Sequence, residues 1–229
     1  MVSDMHEHLV TSECHDERRR ANRPEGGSHG SPSSVVRVAV VDDHAAIRLG
    51  LTAAIASHPG LVCVGAAADG EEMLPLLNRT RPDVVVLDYH LPRVDGLELC
   101  RSIKSDVLAP AVLLYSAYAD AAMVVPSLVA GADGIVHKSS PTRELFEAIH
   151  AVAHGGIHMP PIIPELLEAA GAALHVQDRP LLDLLVEPLP RAEIAAALGL
   201  PAAEVDERVS GMLARLRTGL AARPAGRAG

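Results

Sequence analysis

Tryptophan is absent from this chain of 229 residues, and one phenylalanine and three tyrosines are its whole stock of aromatic side chains. Yet 48% of the residues are hydrophobic. The interior is therefore built from Ala, Leu, Val and Ile, as suits parallel strands buried on both faces by helices. Cysteine is scarce too: Cys14, Cys63 and Cys100 are an odd number without metal-ligand spacing, and the last two lie in apolar segments as small core residues. No apolar run approaches membrane-spanning length, and the polar first residues do not resemble a signal peptide. A reduced, soluble, cytoplasmic protein with no membrane partner is the expectation. An excess of positive charge is also lacking. The formal net charge of −9 gives no global attraction to nucleic acid or to an acidic membrane surface. Residues 35–156 hold 14 acidic and 9 basic side chains, whereas residues 176–229 hold 7 of each.

Residues 1–34 have no hydrophobic periodicity and end in "RPEGGSHGSPSS". Such a segment buries too little apolar surface to offset its ordering entropy, so a disordered tail is expected. His6, His8, Cys14 and His15 could ligate a metal there, but an unfolded tail pre-organises nothing, and a solvated tail is preferred.

From Val35 the pattern changes. Five short apolar runs, "VVRVAVVD", "LVCVGAAA", "DVVVLD", "AVLLYS" and "DGIVHK", alternate with helical spacings such as Ile47, Leu51, Ile55 and Leu145, Ile149, Val152. This predicts an α/β fold over residues 35–156: a doubly wound, five-stranded parallel sheet with helices on both faces. Residues 157–175 are Gly- and Pro-rich and then briefly helical, and read as a linker. A small all-α unit is expected over 176–218, with helices at 176–186, 189–198 and 202–216, a tight turn at Gly199 and a disordered tail over 219–229. Val205, Val209, Leu213 and Leu216 would share one face of the third helix.

The polar residues of the first unit gather at strand C-termini, where ligands of such sheets bind. Asp42 and Asp43 end the first strand, Asp88 the third, Ser116 the fourth and Lys138 the fifth. Three carboxylates packed together repel, so the site calls for a hard dication with oxygen ligands, most simply Mg²⁺. A phosphoryl group on Asp88 would be neutralised by that metal, the Lys138 ammonium and the Ser116 hydroxyl. Single aspartates that close strands are usually turn or cap residues, which is the expected role of Asp69 and Asp133.

The motifs "VVDDH" (40–44), "VVVLDYHLPRVDGLEL" (84–99), "LLYSAY" (113–118) and "GADGIVHKSS" (131–140) make residues 35–156 resemble a receiver domain, flavodoxin-like in fold. The resemblance implies Asp88 as phosphoacceptor, Asp43 as a direct Mg²⁺ ligand, Asp42 as a ligand through water, and the His90 backbone carbonyl as the third protein ligand. It implies that Ser116 and Lys138 grip the phosphoryl oxygens and report to the fourth helix, and that Ala117 leaves room for the donor. A histidine kinase would be that donor. Two departures stand out: Ile135 replaces the aromatic switch residue usual in receivers, and Pro126 falls inside the fourth helix, where it should break or kink the helix or mark a late start.

Residues 174–216, through "AEIAAALGL" and "EVDERVSGML", resemble the LuxR/FixJ-type helix-turn-helix of NarL-like response regulators. Such a unit places its second helix in the major groove. Asp206 stands where that family usually has Lys, with Glu207 and Arg208 beside it. Pro180 interrupts the first helix, and no lysine follows Lys138. Arg191, Arg208, Arg215 and Arg217 remain as candidate phosphate contacts beside Asp206 and Glu207. The acidic pair would repel DNA phosphates, although carboxylates can accept from cytosine.

Two readings stay open. One is a phosphorylation-controlled transcription regulator that binds DNA as a homodimer. The other is a signalling module whose helical unit binds a protein partner. A phosphatase using an aspartyl-phosphate is disfavoured, because His90 occupies the position two residues after the nucleophile where a second acid is needed. Slow self-dephosphorylation is the only turnover expected.

Overall fold

Five strands alternate with five helices in the computed structural model, which describes residues 35–106, 108–117, 121–187, 189 and 191–221. The order is β1 (Val36–Val41), α1 (Ala45–Ser57), β2 (Leu61–Ala67), α2 (Gly70–Thr80), β3 (Val84–Asp88), α3 (Gly96–Lys104), β4 (Ala111–Ser116), α4 (Ala121–Ala130), β5 (Gly134–His137) and α5 (Thr142–Ala153). Every pairing is parallel and the spatial order is β2-β1-β3-β4-β5. All five apolar runs are strands, and the chain reverses its winding between β1 and β3. The strand order therefore places the ligand crevice beyond the carboxyl ends of those two strands.

The strands alternate their side chains between two apolar layers. Val38, Val40, Val84, Val86, Leu113 and Val136 pack with Leu51 and Ile55 of α1 and with Leu145 and Ile149 of α5. Val41, Val85, Leu87, Val112, Leu114 and Ile135 belong to the opposite layer, with α2, α3 and α4. Each such side chain taken fully from water contributes roughly 1.5–3 kcal/mol. Asp69 has the cap role expected of it, whereas Asp133, expected as a turn or cap residue, links β4 to α3 instead. Asp69 caps α2 by accepting from the Glu72 amide at 3.0 Å, while Glu72 accepts from the Ala68 amide at 2.8 Å, a reciprocal box. Asp133 accepts from the Val112 amide at 2.7 Å and pairs with Lys104 at 2.8 Å. Cys63 is half-buried and Cys100 fully buried.

The remaining elements are α6 (Pro164–Ala173), a 3-10 turn (Val176–Asp178), α7 (Arg179–Val186), α8 (Arg191–Leu198) and α9 (Ala202–Ala221). Gly199 ends α8 with φ +64°, and the Leu200 amide closes the turn on the Ala195 carbonyl at 3.0 Å. Glycine adopts this left-handed conformation without the steric cost of a Cβ. Val205, Val209, Leu213 and Leu216 are all buried on one face of α9, joined by Met212.

These helices do not stand apart from the sheet. α4 touches α6, α7 and α9, and one apolar layer runs from the strands through α3 and α4 into the C-terminal helices. All eight residues from Met123 to Ala130 are consequently buried. A helix apolar on every side needs cover on every side, and α4 receives it from the sheet beneath and the C-terminal helices above. The segment expected to be a linker contributes to this packing. Its first residues flank β5, with the Ile135 amide donating to the His158 carbonyl at 2.8 Å, and α6 follows.

Three further expectations are corrected. Pro126 does not break the helix or delay its start: α4 runs through it from Ala121 to Ala130. The lost backbone donor costs one intrahelical bond, which burial on both sides of the helix outweighs. Pro180 does not interrupt a helix either. It sits in the first turn of α7, where a missing N–H leaves nothing unpaired. Finally, α9 continues to Ala221, three residues into the segment expected to be disordered. Just before that segment the Thr218 hydroxyl donates to the Ala214 carbonyl of α9 at 3.0 Å. The expected tails over 1–34 and 222–229 lie outside the described residues.

Candidate functional site

Asp42 and Asp43 leave the end of β1, Asp88 closes β3, Ser116 closes β4, and Lys138 follows β5 directly. The sheet thus delivers all five side chains to one edge. Asp42, Asp88 and Ser116 are 1%, 2% and 0% exposed. Lys138 spans the acidic pair: its Nζ lies 2.7 Å from Asp42 Oδ2 and 2.8 Å from Asp88 Oδ2. The backbone supports this bridge. The Lys138 amide donates to the Ser116 carbonyl at 2.8 Å, and the His90 amide donates to Asp88 Oδ1 at 3.2 Å. Arg48 of α1 donates to the carbonyls of Asp42 and Asp43 at 2.7 and 2.9 Å, fixing the loop that carries both acids.

Gly96 has a steric role here. A Cβ at this position would overlap the carbonyl of Asp88 and the backbone of Tyr89, while its own amide donates to the Tyr89 carbonyl at 2.9 Å. Only glycine lets the start of α3 approach the Asp88 loop so closely.

Burial pushes the Asp88 carboxyl above its ordinary range; the Lys138 ammonium and the His90 amide oppose the shift, and the Asp42 charge adds to it. Burial by itself would lower the Lys138 ammonium. The hydrogen bonds and charges of Asp42 and Asp88 outweigh it and hold the group above its usual value. The site is therefore a charged knot under strain from desolvation, with one ammonium facing more than one carboxylate.

The donor set suits a small hard cation. Asp42, Asp43, His44 and Asp88 each offer a ligand atom, all within 4.8 Å of one another. Asp43 Oδ1 and Asp88 Oδ2 are shielded from water, and each faces a nitrogen that a cation would have to share it with, His44 Nδ1 at 2.6 Å and Lys138 Nζ at 2.8 Å. Both oxygens of Asp42 are already engaged, Oδ1 by the His44 amide at 2.8 Å and Oδ2 by Lys138. His44 is the member of this cluster that sequence reasoning missed. It follows the acidic pair in "VVDDH", and its Nδ1 lies 2.6 Å from Asp43 Oδ1. A histidine adjoining two strand-end carboxylates was the available signal.

Toward α4, Ser116 Oγ lies 3.8 Å from Met123 Sδ, and α4 lies under α9. A second connection runs through Asp95, which caps α3 by accepting from the Leu97 amide at 2.7 Å. Arg217 of α9 pairs with Asp95 at 2.9 Å and with Glu98 at 3.6 Å. Ile135 is buried in the layer beneath α4.

The candidate nucleic-acid residues gather along α9. Asp178, Glu204, Glu207, Arg208, Gly211 and Arg215 line a shallow groove, and Asp206 is half-buried beside it. The arginines in this state face carboxylates of the same chain: Arg208 pairs with Glu204 at 2.8 Å, and Arg215 with the buried Asp178 at 3.4 Å. Arg191 opens α8, and its side chain lies outside the described part.

Comparison with known proteins bears on both parts of the chain. Residues 38–150 match the family model of the response regulator receiver domain. The DNA-binding transcriptional activator DevR/DosR of Mycobacterium tuberculosis is 34% identical over 192 residues, covering 80% of this chain and 88% of that protein. The nitrate/nitrite response regulator NarL of Escherichia coli is 27% identical over 201 residues, covering 83% of this chain and 92% of that protein. Among solved structures, a LuxR-family two-component response regulator from Aurantimonas superposes with a TM-score of 0.54 at 38% identity, covering 59% of this chain and 97% of that one. Among the described residues, no helix is long and apolar enough to cross a membrane.

Proposed function

Because this chain belongs to the two-component response regulators of the NarL type, we propose that Asp88 accepts a phosphoryl group from a histidine kinase and that the C-terminal helices convert this into control of DNA binding. The observation that carries the reading is the Lys138 bridge between Asp42 and Asp88, closed over the carboxyl ends of β1 and β3. A carboxylate oxygen of Asp88 forms the new bond to phosphorus as the donor's bond to phosphorus breaks, and the donor keeps the electron pair. Lys138, already beside Asp88, neutralises the incoming oxygens, and Ser116 supplies a hydroxyl on the β4 side. Asp43 and Asp88, with the His90 carbonyl and with Asp42 through water, would hold Mg²⁺, which when bound offsets the negative charge on the transferring phosphoryl oxygens.

The output follows from the packing. In the arrangement described, α9 lies against α4, Arg217 is held by the Asp88-side helix α3, and Arg208 and Arg215 are neutralised by Glu204 and Asp178. Phosphorylation that draws Ser116 toward the phosphoryl group moves it from Met123 and loosens α4 beneath α9. The freed unit then binds DNA as a homodimer, with Arg191, Arg208 and Arg215 on phosphates and Asp206 and Glu207 restricting which sequences are tolerated.

The internal pairing of Arg208 and Arg215 also favours a second reading, in which the helical unit binds a protein partner instead. Genomic-fragment capture by the intact protein, with and without a small phosphodonor and Mg²⁺, separates the two. Discrete two-fold-related sites enriched after phosphorylation support the DNA reading. No enrichment in either state, with Asp88 demonstrably phosphorylated, refutes it in favour of the protein partner.

A further inference from the structure

Lys138 lies past the end of β5, beyond the sheet ladder, yet its ammonium must stay within hydrogen-bond distance of two carboxylates. Lysine side chains lose much rotamer freedom when held in this way, so the backbone that carries the side chain has to be fixed. The fixing comes from β4. The Lys138 amide donates to the Ser116 carbonyl at 2.8 Å, and the hydroxyl of the preceding residue, Tyr115, donates to the Lys138 carbonyl at 3.3 Å. Both polar groups of the Lys138 backbone are thereby tied to neighbouring residues of one strand. Tyr115 also stands in register with Asp88 on β3 and with Val136 on β5. Its ring is partly buried against the α1 and α5 layer, with the Lys138 Nζ 5.9 Å from the ring centroid, the outer reach of a cation–π contact. Burial raises the phenol above its ordinary range, with the Lys138 charge opposing the shift, so the hydroxyl keeps its proton as donor at neutral pH.

We propose that Tyr115 is a positioning residue for phosphoryl transfer, holding the Lys138 turn so that its ammonium is pre-placed between Asp42 and Asp88. Tyr115 makes and breaks no bond to phosphorus, and its effect passes entirely through Lys138. The role deepens the phosphoacceptor reading and rests on it.

The test is the labelling rate of the full chain by a small phosphodonor with Mg²⁺, at varied donor concentration, for wild type, Tyr115→Phe, Tyr115→Leu, Lys138→Ala and the Tyr115→Phe/Lys138→Ala pair. Tyr115→Phe keeps the ring and loses one hydrogen bond. Its limiting rate should fall about 3–10-fold, the range that one hydrogen bond's net contribution allows, with the half-saturating donor concentration unchanged. Tyr115→Leu should fall further. In the Lys138→Ala background the Tyr115→Phe change should alter the rate by less than about 2-fold, since no ammonium remains to be placed. Wild-type rates in Tyr115→Phe, or undiminished slowing in the Lys138→Ala background, would overturn the role while leaving Asp88 as acceptor. A wild-type chain that is not labelled, or an Asp88→Asn chain labelled as well as wild type, would instead overturn the phosphoacceptor reading and the role of Tyr115 with it.

Discussion

Replacing Arg217 by Ala should weaken the hold of α3 on α9 and loosen the cover over α4. Arg217 is 28% exposed and Asp95 24%, so the pair lies between a solvated ion pair and a buried one. Exposed pairs contribute about 0.2–1 kcal/mol, and breaking a buried pair from one side costs about 3–5 kcal/mol. Two features place this pair in the lower part of that span. The Arg217 Nη2 faces Asp95 at 2.9 Å without an aligned hydrogen bond, and the Glu98 contact is longer, at 3.6 Å. A loss of about 1–2 kcal/mol follows, which is a 5–30-fold shift between docked and released helices. Amide hydrogen exchange along α4 reads this directly, because the C-terminal helices supply one side of the cover that buries its residues from Met123 onward. Exchange there should accelerate about 5–30-fold in Arg217→Ala, and affinity for DNA without a phosphodonor should rise in parallel. Asp95→Asn should reproduce most of the effect and add little to Arg217→Ala. Unchanged protection of α4 in Arg217→Ala would refute the docking role assigned to this pair.

Asp88→Asn should stabilise the protein at neutral pH. The Asp88 carboxyl is held above its ordinary value, chiefly by burial, so its ionised form costs the folded state stability relative to the unfolded chain. The cost is absent below the unfolded value of about 3.9 and grows as pH rises through the folded one. Thermal melts should therefore show a higher Tm for the variant at pH 7 and no gain near pH 3; a gain independent of pH would contradict the burial argument. Lys138→Ala should leave labelling of Asp88 measurable but uncouple it from dimerisation, read by sedimentation of the phosphorylated forms; wild-type dimerisation would disprove the coupling. Asp206→Lys should tighten nonspecific DNA binding and steepen its salt dependence, and an unchanged slope would mean that Asp206 does not face DNA. Gly96→Ala should destabilise the chain and slow labelling, since its Cβ collides with backbone at Asp88 and Tyr89; wild-type stability and rate would show that the loop gives way without cost.

The strands and the reactive edge were legible because both depend on local pattern. Apolar runs such as "DVVVLD" are short, uninterrupted and capped by a polar residue, and a parallel sheet then has few ways to arrange their ends. Asp42, Asp88, Ser116 and Lys138 converge for that reason. What was not legible depends on contacts distant in sequence. The wholly apolar α4 carried a signal that something covers it, but which element does so is decided by α6, α7 and α9 packing across it. Pro126 and Pro180 show the limits of local rules. Proline opposes a helix interior, but tertiary burial overrode that at Pro126, and at Pro180 the helix begins one residue earlier. The carboxylate partners of Arg208, Arg215 and Arg217 were likewise hidden: Glu204 is one turn away, whereas Asp178 and Asp95 are reached only through the fold. His44 was overlooked because its closeness to Asp43 is a matter of side-chain direction, which spacing does not give.

The central claim is that Asp88 is the phosphorylated residue, and mapping the modified peptide tests it most directly. The intact chain is incubated with a small phosphodonor and Mg²⁺, the acyl phosphate is trapped by borohydride reduction, and the reduced residue is located by mass spectrometry. The account predicts modification at Asp88 alone, abolished by removing Mg²⁺ and by Asp88→Asn. Modification at Asp42 or Asp43 instead, or undiminished modification of the Asp88→Asn chain, would contradict it.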